Sequence, residues 1–169
     1  LSHSPVGLYH IIGNSVVLFF FGPLVERAVG SKRFVGFFFA AGAIAGLGHV
    51  LFAIATGAPT TGVLGASGAI MAVMALLTVL NPDIKVLLFF FIPMPIWGLT
   101  LGYAVISVFG AFGTLGGGIA HMAHLLGLVI GFAYGKRIED EVSLPNQFQF
   151  GGGGGGGMGG MGGGGRRRF

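Results

Sequence analysis

Cysteine is absent from the 169 residues, and charged side chains make up only 8% of them. The first absence excludes disulfides, thiolate zinc sites and a cysteine nucleophile. The second argues against a water-soluble domain, which usually carries about a quarter charged residues; a bilayer makes no such demand. Five acidic residues stand against nine basic ones, for a net charge of +4. Nucleic acid is nevertheless not the expected partner. Arg166, Arg167 and Arg168 stand just before the terminal Phe169 and the other basic residues sit in short loops, a membrane-topology pattern rather than a basic binding face.

What is present is apolar: 53% of the chain is hydrophobic. A spanning helix needs about 20 mostly apolar residues, and five stretches qualify, near 7–29, 34–56, 62–80, 92–109 and 118–135. The run from Lys85 to Pro95 is apolar but carries Pro93 and Pro95. Proline fits the first turn of a helix better than its middle, so Lys85–Phe91 reads as a short interfacial segment and Pro95 as near the true helix start. Charges fall in three places only: Glu26 to Arg33, Asp83 with Lys85, and Lys136 onward. Alternate connections are thus charged and uncharged, as consecutive crossings require. The positive-inside rule then predicts an amino end outside and a carboxyl end in the cytoplasm. An outer amino end without a preceding helix is awkward to translocate, so a further span is expected upstream of Leu1. The expected organisation is a transmembrane domain over 1–142 and a tail over 143–169. In that tail Gly151–Gly165 is glycine apart from Met158 and Met161, a composition that cannot offset its ordering entropy.

Polar groups inside a span are costly and mark function. The candidates here are few: His10, Asn14, His49, Ser67, His121 and His124. At 1.5 Å per residue, Asn14, Ser67 and His124 each lie ~8–10 Å below the outer surface, on three different helices. Ser67 sits in Gly65-Ala66-Ser67-Gly68, whose glycines permit close helix approach. Alone, such a stretch is more often a packing motif than a nucleophile, and Ala69 excludes the G-x-S-x-G elbow. His124 supplies the base that a serine hydroxyl needs. Gly127, Gly131 and Gly135 follow at intervals of four on one helix face, which predicts that span five presses on span three and carries His124 to Ser67. His10 and Asn14 share a face at i, i+4 and are suited to hold an oxyanion, with the Ser67 backbone N–H as a third donor. No acidic residue lies at this depth, so the expected site is a Ser–His dyad. His49 and His121 lack carboxylate or thiol companions for a metal and read as structural.

These residues resemble the rhomboid family of intramembrane serine proteases. His10-x-x-x-Asn14 followed by Phe21-Gly22-Pro23-Leu24-Val25-Glu26-x-x-x-Gly30 resembles the family's second transmembrane helix and its exit loop. Gly65-Ala66-Ser67-Gly68 matches the nucleophile motif of the fourth helix, and Ala123-His124-Leu125-Leu126-Gly127-x-x-x-Gly131 matches the sixth. The resemblance covers Tyr9–Gly135. It implies Ser67 as nucleophile, His124 as general base, and Asn14 with His10 at the oxyanion. Two positions depart from the pattern. Pro5 stands where relatives often have another histidine, with His3 the nearest candidate, and Met71 stands where some members stack a tyrosine on the catalytic histidine.

The expected fold is an all-α, polytopic transmembrane helical bundle, rhomboid-like, with five helices visible of six. The expected protein is multi-pass, in a prokaryotic cell membrane, with its active site towards the non-cytoplasmic face. Its expected partners are transmembrane protein substrates and the lipid bilayer. No metal or cofactor is implied. Two rivals stay open: a rhomboid-like client-binding protein, whose known relatives typically lack the serine or histidine, and a small transporter, which would often show an internal repeat.

Overall fold

The computed structural model describes residues 5–57, 66–88, 91–111 and 118–142, without the side chains of 5–10, 88 and 118–120. The tail from 143 onward and the connections at 58–65 and 112–117 lie outside the described residues. Five helices are seen: α1 (Pro5–Val29), α2 (Ser31–Thr56), α3 (Ala66–Leu80), α4 (Ile96–Ala111) and α5 (Gly118–Ile138). They fall on the five apolar stretches.

The chain reverses between α1 and α2 on one residue, Gly30, at φ 86°. A side chain is strained there and glycine is not. Gly30 N–H donates to the Glu26 carbonyl at 2.7 Å, and its own carbonyl accepts from Phe34 at 2.9 Å, so each helix end is closed by the turn residue. At the far end of α2, Gly57 adopts the left-handed conformation and returns its N–H to the last carbonyls, the usual αL stop.

The helices differ in what surrounds them. Every residue of α3 from Ser67 to Leu77 is buried, and α3 touches each of the other four helices. It is the centre of the bundle, packed most extensively against α5. α2 turns inward only a stripe at every fourth residue, Phe37, Ala41, Ala45, His49 and Ala53. Its other faces expose Phe39 (70%) and Ile54 (70%), and α1 exposes Phe19 (74%). By length and composition Ile11–Val29 and Ser31–Thr56 can cross a membrane, while α3 and α4 are shorter apolar helices.

Two expected boundaries change. Residues 92–95 were expected to open the fourth span, but Ile92–Pro95 forms a strand that pairs antiparallel with Lys85–Leu88, from Lys85 opposite Pro95 to Leu88 opposite Ile92. Each proline disfavours helix at the residue before it, which holds Ile92 and Met94 extended. A two-stranded edge tolerates the missing N–H groups. The segment expected to lie at the interface is therefore one arm of a hairpin, and α4 starts at Ile96, next to Pro95 as expected. Ile96 N–H donates to the Ile84 carbonyl at 2.8 Å and ties α4 to the base of the hairpin. α5 also continues past Gly135 to Ile138, with Lys136 and Arg137 in its last turn, where cations suit the helix dipole.

Two interhelical contacts fix the lower packing. The Phe37 ring on α2 stacks on Tyr134 of α5 at 4.8 Å. Thr78 donates to the Met74 carbonyl at 2.9 Å and lies 2.6 Å from the Thr100 hydroxyl. Its one proton being used, Thr100 donates to Thr78 and links α4 to α3.

Candidate active site

Ser67 is the second residue of α3 and is 3% exposed. The first four N–H groups of a helix have no partner within it, so the Ser67 amide is free of the α3 ladder.

Its neighbour Gly68 is where three helices meet. A Cβ added there would stand 2.7 Å from the Cβ of Ala45 on α2 and 3.2 Å from the Ala123 carbonyl oxygen on α5. From the other side, a Cβ on Gly127 would run into the Gly68 carbonyl. One turn on, Gly131 meets the Ala72 carbonyl in the same way, and a Cβ on Gly135 would lie 2.8 Å from Val79. Positions 68, 72 and 79 of α3 thus meet 127, 131 and 135 of α5 in the same order. The two helices run parallel, backbone against backbone, and the glycine stripe expected to press span five on span three does so.

His124 follows Ala123 and is half-buried. Its helical turn, Ala123 to Gly127, is the turn that rests on Gly68. The segments carrying the hydroxyl and the imidazole are brought together at Gly68. Asn14 is half-buried on α1, which packs on α3 and α2. His10 lies one turn earlier on α1, and its side chain is outside the described residues.

His49 lies closer to this junction than its place on span two revealed. It is 3% exposed and one turn beyond Ala45, the residue that touches Gly68. The sequence also gave no sign of the contacts around His121. Its ring meets that of His124 edge to face, with centroids 5.8 Å apart and planes at 88°. The backbone of α4 at Gly110 lies directly against the His121 ring. A small residue at 110 was the available signal, but a lone glycine near a helix end does not announce its neighbour. Among the described residues, no group of three or more His, Asp or Glu side chains converges as a metal site would require.

Residues 2–139 match the Rhomboid domain model. The chain belongs to the rhomboid family. Among curated relatives, it is 31% identical to "Presenilin-associated rhomboid-like protein, mitochondrial" of Rattus norvegicus over 138 residues, covering 78% of this chain and 35% of that one. The Homo sapiens protein of the same name is 30% identical over 138 residues, with the same coverage of both chains. "RHOMBOID-like protein 12, mitochondrial" of Arabidopsis thaliana is 36% identical over 108 residues, 56% of this chain and 31% of that one. The chain spans about a third of the length of these curated relatives. No solved structure matches it. A rhomboid domain is an integral membrane domain, which accounts for the large exposed apolar side chains of α1 and α2. The names of the relatives place those proteins in mitochondria, which lends no support to the expected prokaryotic cell membrane.

Proposed function

We propose that this rhomboid domain is a serine endopeptidase that cleaves transmembrane segments of other membrane proteins with a Ser67–His124 dyad. The observation that supports it most is the Gly68–Gly127 contact. It sets the turn bearing the hydroxyl against the turn bearing the imidazole, and a nucleophile with an adjacent base is the requirement for covalent catalysis.

The chemistry follows from the groups. His124 takes the Ser67 proton as Oγ attacks the scissile carbonyl. Charge then develops on the carbonyl oxygen, where the Asn14 amide, a His10 N–H and the Ser67 backbone N–H are suited to receive it. His124 returns the proton to the leaving amine. Water, deprotonated by the same imidazole, then hydrolyses the acyl-enzyme. All five acidic residues lie elsewhere in the chain, at Glu26, Asp83 and 139–141, so the histidine works without a carboxylate. A peptide bond inside a helix is hidden by its own hydrogen bonds, and the resemblance to the family implies substrates whose helix is locally unstable, with small residues near the cut. Entry of water from the non-cytoplasmic side, with residues 143–169 on the opposite side, fits the charge pattern of the loops.

A fluorophosphonate probe tests this directly, because only an activated serine reacts. Labelling of the lipid-reconstituted protein, lost in Ser67→Ala, is the expected result. Absence of labelling in well-folded wild-type protein rejects catalysis and favours a client-binding or transport role.

A further inference from the structure

A catalytic imidazole must be held in one plane as well as brought near its serine. The base of an activated nucleophile is ordinarily oriented by a third group. No carboxylate is available for this in the rhomboid domain, since every acidic residue lies near an α1 or α5 end or in the turn before the hairpin. Met71, four residues after Ser67, is buried on α3 and brings no ring. An aromatic neighbour of His124 comes instead from its own helix, one turn earlier. The His121 ring stands perpendicular to it at 5.8 Å. Edge-to-face pairing at this separation is the favoured geometry for two aromatic rings.

His121 is itself held. Its ring lies directly on the α4 backbone at Gly110, where any Cβ would collide with Cγ, Cδ2 and Nε2. Gly110 is buried, and no side chain stands between α4 and the ring. The imidazole of His121 is thus clamped between the α4 backbone on one side and His124 on the other. Buried polar atoms without a hydrogen-bond partner among the described residues border the same seam, among them His121 Nδ1 and Ser107 Oγ, one turn before Gly110. Its Nδ1 does not hold the ring by a hydrogen bond; the contacts with Gly110 and His124 are packing contacts.

We propose that His121 is a positioning residue for catalysis: seated on Gly110, its ring holds the plane of the His124 imidazole. This rests on the reading of His124 as general base. The ring, not its nitrogens, carries the effect, so an aromatic substitute retains it and an aliphatic one does not.

Three substitutions in the lipid-reconstituted protein test this, each scored per folded molecule: His121→Ala, His121→Leu and His121→Phe. The readouts are kcat and KM on a model transmembrane substrate, and the rate at which fluorophosphonate labels Ser67. His121→Ala and His121→Leu are expected to lower kcat and the labelling rate about tenfold, the scale an aromatic pair supplies, with KM unchanged. His121→Phe is expected to restore most of both rates. Ser107→Ala, which alters the buried face of α4 one turn from Gly110 and leaves the His121 ring in place, leaves both at the wild-type level. Should His121→Ala fail to fold, His121→Leu keeps the bulk and decides the question against His121→Phe. Wild-type labelling in both aliphatic variants overturns the proposal and leaves the protease reading standing. So does loss in His121→Phe equal to that in His121→Leu, or an equal loss in Ser107→Ala. A wild-type protein that does not label Ser67 overturns both.

Discussion

Gly131 and Gly102 both sit inside apolar helices, and their surroundings are opposite. Gly131 lies on the inner face of α5, where the Ala72 carbonyl of α3 occupies the space a side chain would need. Gly102 lies on the outer face of α4 with nothing within 4 Å of an added Cβ, as do Gly36 and Gly46 on α2. On the inner face glycine lets two backbones touch and thereby carries His124 to the Ser67 turn. On the outer faces an added Cβ meets nothing among the described residues. Neither helix has a marked apolar side, so amphipathicity does not separate these cases. What separates them is the repeat of glycines at every fourth residue along α5, matched by Gly68 and Ala72 on α3.

The largest effects are expected where the inner seam carries chemistry. Ser67→Ala abolishes proteolysis, and His124→Ala nearly does, because an unactivated serine is a weak nucleophile. Asn14→Ala leaves a reduced but measurable rate, since losing one oxyanion donor costs about a hundred- to a thousandfold and the other donors remain. His49→Ala lowers stability, being buried on the α2 stripe, but matters least to the rate per folded molecule. A cleavage assay in liposomes, with folding measured separately, checks the order. Cleavage by Ser67→Ala at the wild-type rate eliminates the mechanism.

Next comes the seam as a scaffold. Gly131→Val drives a branched side chain into the Ala72 carbonyl and parts α5 from α3. A displacement of about 1 Å at the reacting groups costs about a hundredfold in rate, although Gly131 itself touches no substrate. Fluorophosphonate labelling of the folded fraction reads this without a substrate. Full tolerance means that the seam is not what aligns Ser67 and His124.

The legible and illegible parts of the molecule divide along the same line. The parallel α3–α5 contact could be read because glycine spacing states a face, and Ser67 and His124 belong to that face. The small residues of α2 at 41, 45 and 53 have the same period, yet their meeting with Gly68 was missed, because alanine in an apolar helix is too common to single out. The hairpin at 85–95 was missed because an apolar run with prolines reads equally as a broken helix; pairing is a long-range fact. His121 was read as structural because nothing in a one-dimensional pattern shows that Gly110, eleven residues away across 112–117, lies against its ring.

A smaller effect is expected at the polar link between α4 and α3. Thr100→Val removes the bond to Thr78 but keeps the shape. Interhelical hydrogen bonds in membrane proteins average about 0.6 kcal/mol, and Thr78 keeps its bond to the Met74 carbonyl. A loss of that size in denaturant unfolding, with catalysis retained, is expected. Activity lost in step with Gly131→Val would mean that α4 and α5 position the site equally.

The smallest effect separates the two faces most sharply, because one substitution changes sign between them. Gly102→Ala adds a methyl group to open space and removes a helix-weakening residue. In water the gain is about 0.5–1 kcal/mol. Lipid reduces it, since a spanning segment keeps its helical hydrogen bonds even when its neighbours leave, so a gain of about 0.5 kcal/mol or less is expected. Gly131→Ala adds the same methyl against a backbone carbonyl that is fixed in its own helix and cannot rotate aside as a side chain can. It is expected to destabilise by about 1–3 kcal/mol, the usual cost of overpacking. Unfolding midpoints of the two variants, measured side by side in one detergent, should therefore move in opposite directions. If both rise, α5 can withdraw from α3 without cost, and the close backbone contact is not what holds the two helices together. If both fall, Gly102 has a neighbour in the membrane, and the outer face of α4 is an interface with another helix.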